Sequence, residues 1–159
     1  MAKTNEFEIY LKLAVAGAAS NTSLDLTDYV DIADNEALDV DEIDIVIDPT
    51  NTLAGDAGAD STFRFQLADS NIQDFVSHAD RTSLYTAQQL YGFGDNVFSH
   101  TESFSSLTPL IVNKTLFCRH ESDGSTSTIN FTLRIKGKIV KPSAKDYMAL
   151  VLTQTGNVA

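Results

Sequence analysis

Residues Leu24–Pro49 read LDLTDYVDIADNEALDVDEIDIVIDP and contain ten acidic side chains and no basic one. A tract with this many like charges would be disordered if it lacked apolar residues. Here Leu, Val, Ile and Tyr recur at strand-like spacing. The pattern predicts two strands, Leu24–Ile32 and Ala37–Asp48, joined by a turn near Asp34–Asn35. Their acidic face is either solvated, as on many edge strands, or it meets a partner.

The apolar pattern shifts by one residue within the second predicted strand. Leu38 and Val40 share one face. The apolar residues that follow are Ile43, Ile45 and Ile47. Because a slip of one residue moves every side chain to the other face of a strand, the shift predicts a β-bulge near Asp41–Glu42.

Alternation of apolar and polar residues predicts further strands. They are Phe7–Leu13, Phe63–Leu67, Leu110–His120 and Ile129–Val140. An Asp-Gly pair within Ser122–Ser127 predicts a tight turn, so we expect the last two strands to form a hairpin. The segments between strands, rich in small and polar residues, are predicted connections: Ala14–Asn21, Thr50–Ser61 and Ser99–Ser106.

Apolar residues at helical spacing predict a short helix in Ser70–Ala79, and Ser83–Tyr91 is either a second short helix or a strand. Ser143 followed by Asp146 is typical of a helix amino cap and predicts a carboxyl-terminal helix, Ala144–Gln154. The whole pattern predicts an all-β fold. We expect one domain, residues 1–159 with residues 1–5 flexible, built as a β-sandwich of the jelly-roll or Greek-key type.

The charge of the chain is unevenly distributed along the sequence. Residues 1–80 carry 17 acidic and 3 basic side chains, whereas residues 81–159 carry 5 acidic and 8 basic ones. The net charge of -11 argues against free nucleic acid as a main partner, and sequence-specific nucleic-acid binding is not expected, because phosphate binding needs clustered Lys and Arg.

The acidic stretch and the basic face of Ile129–Val140 predict a head-to-tail contact between copies of the chain. The residues predicted to form this subunit interface are Asp39, Asp41, Glu42, Asp44, Arg134, Lys136, Lys138 and Lys141. A solvated basic face, or contact with an anionic membrane or a genome, are the alternatives for the basic residues.

Signatures of enzymes are absent from the sequence: it has no phosphate loop, dinucleotide fingerprint, nucleophile elbow or HExxH motif. Cys118 and His120 fall on one face of a predicted strand without a third group to orient the imidazole, so a buried structural thiol is expected. The clustered aspartates raise the question of a calcium site, but no EF-hand register is present. We expect no catalysis, no cofactor and no specific metal.

Nothing in the sequence predicts export or a membrane span. Glu6 and Glu8 stand where a signal peptide would be positive, and Lys12 interrupts the apolar run that follows. No stretch approaches the length of apolar sequence that a spanning helix needs. We therefore expect synthesis in a cytoplasm.

In this layout the chain resembles the small single jelly-roll coat proteins of icosahedral viruses. The resemblance lies in about eight strands in one domain, in Ser-rich and Gly-rich loops, and in the strand pair LDLTDYVDI and ALDVDEIDIVIDP. It implies self-assembly into rings of subunits and then a closed shell, with the virion as the location.

Many such coats carry a basic amino-terminal arm, whereas this chain has only Lys3 there. That difference favours a shell over an internal lipid membrane, similar to the tailless membrane-containing viruses of bacteria and archaea. A second coat protein and the membrane are then further expected partners. The alternative function is a β-sandwich binding module for a carbohydrate or cell-surface ligand, with Tyr85, Tyr91 and Phe93 as a stacking platform.

Overall fold

The computed structural model describes residues 4–15, 19–47, 61–77, 79–80, 82–91, 101–103, 110–123 and 129–155. Within these residues the strands are β1 (Phe7–Val15), β2 (Ser20–Leu24), β3 (Ala37–Ile47), β4 (Ser61–Ala68), β5 (Ser83–Tyr91), β6 (Thr101–Ser103), β7 (Leu110–Val112), β8 (Leu116–Asp123) and β9 (Ile129–Val140). Two 3₁₀ turns cover Leu26–Asp28 and Ile32–Asp34, and helix α1 covers Ala144–Thr155.

The described strands form two antiparallel sheets. The first has the order β1-β9-β3, with both β6 and β7 on the outer edge of β3, and the second has the order β2-β8-β4-β5. Because β6 and β7 pair with successive parts of β3, they act as one interrupted strand. Eight strand positions then alternate between the sheets, except that β4 and β5 follow one another in the same sheet. The fold is a jelly roll, which confirms the predicted all-β sandwich.

The core lies between the two sheets, where the alternating apolar residues of both meet. Phe131 of β9 packs edge-on against Phe63 and Phe65 of β4, with ring centroids 4.7 and 5.9 Å apart. All three rings are almost fully buried. Aromatic pairs in this geometry stabilise a core beyond the burial of their area, so these rings hold the two sheets together.

The predicted bulge near Asp41–Glu42 is confirmed. The register of β3 against β9 shifts between Val40 and Glu42, and Gly137 stands opposite Val40. A Cβ atom at Gly137 would lie 2.4 Å from the backbone oxygen of Asp39. The bulge therefore brings the two backbones so close that β9 needs a glycine at this position.

The strand predicted for Leu24–Ile32 is wrong, because β2 ends at Leu24 and the two 3₁₀ turns follow. The side chain of Asp25 accepts hydrogen bonds from the backbone N–H and the hydroxyl of Thr27, at 3.0 and 2.8 Å. Asp31 accepts hydrogen bonds from two backbone N–H groups of the second turn. Aspartates that bind nearby N–H groups in this way favour turns over a strand ladder.

The helix predicted for Ser70–Ala79 is also wrong. The described residues there are not helical, and they lie over the outer face of the second sheet. The buried amide of Gln66 donates to the carbonyl of Val76 and accepts from its N–H, both at 2.9 Å. The side chain of Gln66 thus ties this segment to β4. The following segment, Ser83–Tyr91, is strand β5 and not a helix.

The predicted hairpin between the last two strands does not form, because β8 and β9 lie in different sheets. Each of these strands has one apolar face, and the two faces meet across the core instead of lying side by side. Most of the predicted Ser122–Ser127 turn, and most of the Thr50–Ser61 connection, lie outside the described residues.

Two predicted connections contain strand residues. Ala14–Asn21 includes the end of β1 and the start of β2, and Ser99–Ser106 includes β6. The strand predicted for Leu110–His120 is divided into β7 and β8. The predicted carboxyl-terminal helix is confirmed as α1, with the N–H of Asp146 donating to Ser143 Oγ at 3.2 Å.

We expect the substitution Gly137→Ala to lower the free energy of unfolding by about 1–3 kcal/mol, because the added methyl group overlaps the Asp39 carbonyl and forces β9 from β3. Urea unfolding followed by circular dichroism measures this loss. Thr132→Ala, on the same strand, is the control because it removes atoms from a half-buried outer position and adds none. Equal stability of Gly137→Ala and wild type would show that the close approach is not a constraint.

Candidate subunit-contact surface

The outer face of the first sheet carries opposite charges on neighbouring strands. Strand β9 lies between β1 and β3 and presents three basic side chains outward. The acidic side chains come from β1 and the residue before it on one side, and from β3 on the other. We call this set the ionic ladder: Glu6, Glu8, Asp39, Asp41, Glu42, Asp44, Arg134, Lys136 and Lys138.

Arg134 forms the best-defined ion pair of the ladder. Its Nε and Nη2 donate to the two carboxylate oxygens of Asp44, at 2.9 and 2.5 Å. Glu42 and Glu8 lie further from the guanidinium, at 3.7 and 4.0 Å. The hydrogen bond and charge of Asp44 raise the pKa of Arg134 above its ordinary value. Asp44 is only 7% exposed, and this bidentate contact supplies its carboxylate with an oppositely charged hydrogen-bond partner.

The two lysines of the ladder also have acidic neighbours. Lys136 Nζ lies 3.1 Å from Glu6, and hydrogen bonding to Glu6 raises the pKa of this lysine. Lys138 Nζ lies 3.6 Å from Asp39 and 3.7 Å from Asp41, the extra residue of the bulge. These partly exposed pairs are each worth little in stability, but together they compensate acidic charge on both sides of β9.

All eight residues of the predicted subunit interface therefore have an oppositely charged neighbour within one chain. Seven of them belong to the ladder. The eighth, Lys141, lies beyond the end of β9 and pairs with Asp34 in the second 3₁₀ turn. Contact of these residues with another copy stays a prediction. The acidic and basic segments, which lie about ninety residues apart in sequence, meet because β3 and β9 are neighbours.

The outer face of the second sheet carries a different arrangement. Phe75 lies against two guanidinium groups, with Arg64 at 4.9 Å and Arg119 at 5.5 Å from the ring centroid. Arg64 also pairs with Glu121 at 2.6 Å. A groove of about 330 Å³ runs beside Phe75, between β4, β5 and the segment that crosses them. Sequence reasoning missed this feature, because it predicted a short helix in Ser70–Ala79, the segment that contains Phe75.

The predicted stacking platform is wrong at Tyr85. This side chain is fully buried and packs in the core against Phe65. The side chain of Tyr91 and all of Phe93 lie outside the part of the chain that the structure describes. The groove beside Phe75 is consequently the described feature that a binding module would use.

Cys118 and His120 share the inner face of β8, as predicted, and both are buried. Burial raises the pKa of the Cys118 thiol to about 12, which keeps it protonated and unreactive. The imidazole of His120 lies within hydrogen-bond distance of the hydroxyl groups of Ser20 and Thr22, at 3.2 and 3.3 Å. The prediction of a buried structural thiol is confirmed.

Among the described residues, no three His, Cys, Asp or Glu side chains come together as a metal site. Before β3, aspartates recur every third residue from Asp25 to Asp34. They lie in or just before the two 3₁₀ turns, where Asp25 and Asp31 bind backbone N–H groups. In the same part of the chain, no helix has the length and apolar character required to cross a bilayer.

Comparison with solved structures finds a structural likeness to a viral protein. No protein-family model and no curated protein matches the chain. A matching solved structure carries the description "The Triple Jelly Roll Fold and Turret Assembly in an Archaeal Virus". The identity is 12% and the TM-score 0.44, and the match covers 88% of this chain and 30% of the other. The chain thus spans less than a third of the length of that protein.

We expect Asp44→Asn to lower the free energy of unfolding by about 1–3 kcal/mol, because Arg134 loses its ionised two-oxygen partner. Asp39→Asn is the matched control, since it changes the net charge equally but disturbs a partly exposed pair worth about 0–1 kcal/mol. Thermal and urea unfolding of both variants measure the difference. Equal losses would mean that the Arg134–Asp44 contact has no special weight.

We expect His120 to make the fold less stable in mild acid. Burial, and secondarily the charge of Arg119, lowers the pKa of His120 below its ordinary 6.5, so the unfolded chain binds the proton more readily. Stability is therefore complete above about pH 6.5 and falls below it, with a slope of at most about 1.4 kcal/mol per pH unit. Urea unfolding between neutral and mildly acidic pH checks this.

His120→Gln is the comparison variant because it keeps a hydrogen-bonding side chain that does not titrate. Its stability should change less than that of wild type over the same pH range. The same pH dependence in both proteins would assign the effect to other groups.

Proposed function

We propose that this chain is a structural coat protein, a self-assembling jelly-roll subunit of an icosahedral virion. The observation that carries the proposal is the strand order of the two sheets, β1-β9-β3 with β6 and β7, and β2-β8-β4-β5. Viral coats and lectins are among the proteins built on this fold. Since one fold serves several functions, the surface chemistry has to support one of them over the others.

The surface chemistry supports a structural role. A coat subunit has to fold alone before it assembles, and the ionic ladder lets the acidic strand β3 lie in a sheet without uncompensated repulsion. The buried Cys118 thiol is kept protonated, and His120 is enclosed between the sheets. The role we propose is therefore contact without catalysis, without a cofactor and without sequence-specific binding of nucleic acid.

The ladder also offers a surface by which two copies can meet. Its charges alternate from strand to strand, so a second ladder shifted by one strand spacing, about 4.8 Å, places acidic groups over basic ones. A two-fold axis between β9 and β3 gives this shift to both copies at once. Charges arranged in this way favour one register of contact more than they add affinity. Seven of the predicted interface residues form this proposed surface: Asp39, Asp41, Glu42, Asp44, Arg134, Lys136 and Lys138. Lys141 lies beyond it.

The proposal places the protein in the virion after synthesis in the host cytoplasm. A second coat protein and an internal membrane belong to it as further partners. Of these proposed partners, the membrane has less support. Arg134 and Lys138 already face carboxylates in their own chain, which reduces the attraction of β9 to anionic lipid.

A binding module for carbohydrates is the second candidate, and the groove beside Phe75 favours it. This groove offers one aromatic ring, the guanidinium of Arg64 and the side chain of Gln88. Phe75, however, already lies against Arg64 and Arg119. A glycan array with wild type and Phe75→Ala tests this candidate. A binding module requires that wild type binds specific glycans and that the variant does not.

The coat proposal is tested by light scattering and negative-stain imaging of the purified chain at moderate and high salt. We expect rings, sheets or shells whose size depends on salt, because exposed charges at the contact are screened. The variant that tests the ladder is the reciprocal swap of Asp39→Lys with Lys138→Asp. These residues are direct partners across β3 and β9, so the swap preserves their ion pair within the chain.

The swap should abolish or alter assembly while the melting temperature stays close to that of wild type. Arg64→Glu with Glu121→Arg, a reciprocal swap on the other sheet, is the matched control and should assemble normally. Normal assembly of the first swap would remove the ladder from the contact. A monomer at every salt and protein concentration would contradict self-assembly itself.

A further inference from the structure

The end of the sandwich formed by the two 3₁₀ turns carries negative charge that the rest of the fold does not compensate. Asp34 pairs with Lys141, but no ion pair joins Asp25, Asp28 or Asp31 to a described basic side chain. Asp25 and Asp31 bind N–H and hydroxyl donors, which leave the carboxylate charge in place. A hydrogen bond from the backbone of Thr27 lowers the pKa of Asp25 and favours its ionised form. This situation contrasts with the ionic ladder, where each carboxylate faces a cation.

The same end exposes large apolar side chains. Of the five that are exposed among the described residues, three lie here: Tyr29 at 43%, Ile32 at 41% and Met148 at 58%. The other two, Tyr10 and Val46, are separate positions on the ladder face. Exposed apolar groups that are close together and rimmed by charge are typical of interaction sites, whereas single ones need no explanation.

Specific contacts hold these apolar groups in place. The ring of Tyr29 stacks on Phe7, with centroids 6.4 Å apart. The hydroxyl of Tyr147 donates to the carbonyl of Ile32 at 3.2 Å and so fixes α1, including Met148, beside the second turn. Between the turns lies an open depression of about 480 Å³, lined by Asp28, Tyr29, Asp31 and Ile32 among others. The surface is therefore preformed, which lowers the entropic cost of binding.

The segment that exposes Tyr29 and Ile32 is itself anchored in the core by Leu26 and Val30. These two neighbours are buried in the core, at 0% and 3%. The turns thus anchor through one set of apolar residues and present another set outward. The surface formed by Tyr29, Ile32 and Met148 with its rim of Asp25, Asp28 and Asp31 is called the acidic end below.

We infer that the acidic end is a docking site for a different protein, through a segment in which apolar residues are flanked by Lys or Arg. The charge complementarity decides the partner: the aspartate rim attracts cationic groups, and the apolar side chains need an apolar counterpart. A bare cation would satisfy only the rim. A second copy is disfavoured because each copy carries a net charge of -11 and the basic residues of its β9 face acids of their own chain. The inference does not rest on the coat role.

The test is fluorescence anisotropy of short labelled peptides titrated with the full chain. One probe is made of Lys and Leu with the leucines on one helical face, a second replaces Leu with Ser, and a third replaces Lys with Glu. We expect saturable binding of the Lys/Leu peptide alone. Tyr29→Ser with Ile32→Ser should weaken it about tenfold or more, which corresponds to about 1.4 kcal/mol of lost contact.

Matched variants separate this site from general attraction to an acidic protein. Asp25→Asn is paired with Asp80→Asn, because each aspartate accepts two hydrogen bonds from the threonine two residues later. Asparagine keeps an acceptor oxygen and removes the charge. Val46→Ser serves as the control for loss of an exposed apolar side chain. We expect Asp25→Asn to weaken binding of the Lys/Leu peptide and both controls to leave it unchanged.

Several results would overturn the inference. They are equal binding of the Lys/Leu and Lys/Ser peptides, equal weakening by Asp80→Asn and Asp25→Asn, and absence of saturable binding. A second copy of the chain is the other possible occupant of the acidic end. Sedimentation of wild type and of the Tyr29→Ser, Ile32→Ser variant tests it. If wild type self-associates and this variant does not, the acidic end is a contact between copies and the inference is wrong. Because these readouts do not require assembly, failure here leaves the coat proposal untouched, and the reverse also holds.

Discussion

Arg134 donates two hydrogen bonds to Asp44 across the β9–β3 pair, and the rest of the first sheet depends on this kind of contact. Strand β3 carries four carboxylates on its outer face, three of them within Asp41–Asp44. Like charges side by side on a sheet oppose its formation. Placing the basic strand β9 beside β3 turns this repulsion into attraction. On its other side the same strand meets Glu8 of β1 and Glu6 just before it. One basic strand thus compensates carboxylates on both of its sides.

This arrangement links parts of the chain that are distant in sequence. Strand β1 pairs with β9 near the other end of the chain, and β3 pairs with β9 across about ninety residues. Only β4 and β5 are consecutive neighbours in one sheet among the described strands. Folding must therefore bring remote segments together before their contacts stabilise them, which is characteristic of slow-folding all-β proteins. Complementary charges on β3 and β9 favour the correct pairing over others that bury equally apolar faces.

The sequence pattern predicted those features that depend on neighbouring residues, such as strands and the bulge. It did not predict features that depend on contacts between different strands. Alternation located most strands, and the phase slip located the bulge, because both follow from the two-residue period of a strand. The helix predicted for Ser70–Ala79 is wrong because the amide of Gln66, a side chain of the preceding strand β4, binds the backbone of Val76. The predicted β8–β9 hairpin failed for a similar reason: a turn signal does not say which sheet each strand joins. The eight candidate interface residues were predicted from charge alone. That they pair within one chain follows from the strand order, which the sequence pattern does not show.

The distribution of compensated charge separates two kinds of surface on this β-sandwich. On the ladder face, cations and carboxylates alternate, so a second copy of the same face meets both attraction and repulsion, and only certain registers are favourable. At the acidic end, the carboxylates of Asp25, Asp28 and Asp31 face no described cation, so two copies repel one another there in every register. Identical subunits would thus be directed to meet through their sheets and to leave the acidic end to a cationic partner. The net charge of -11 thus opposes contacts between copies wherever carboxylates are not compensated, and so limits which contacts the surface permits.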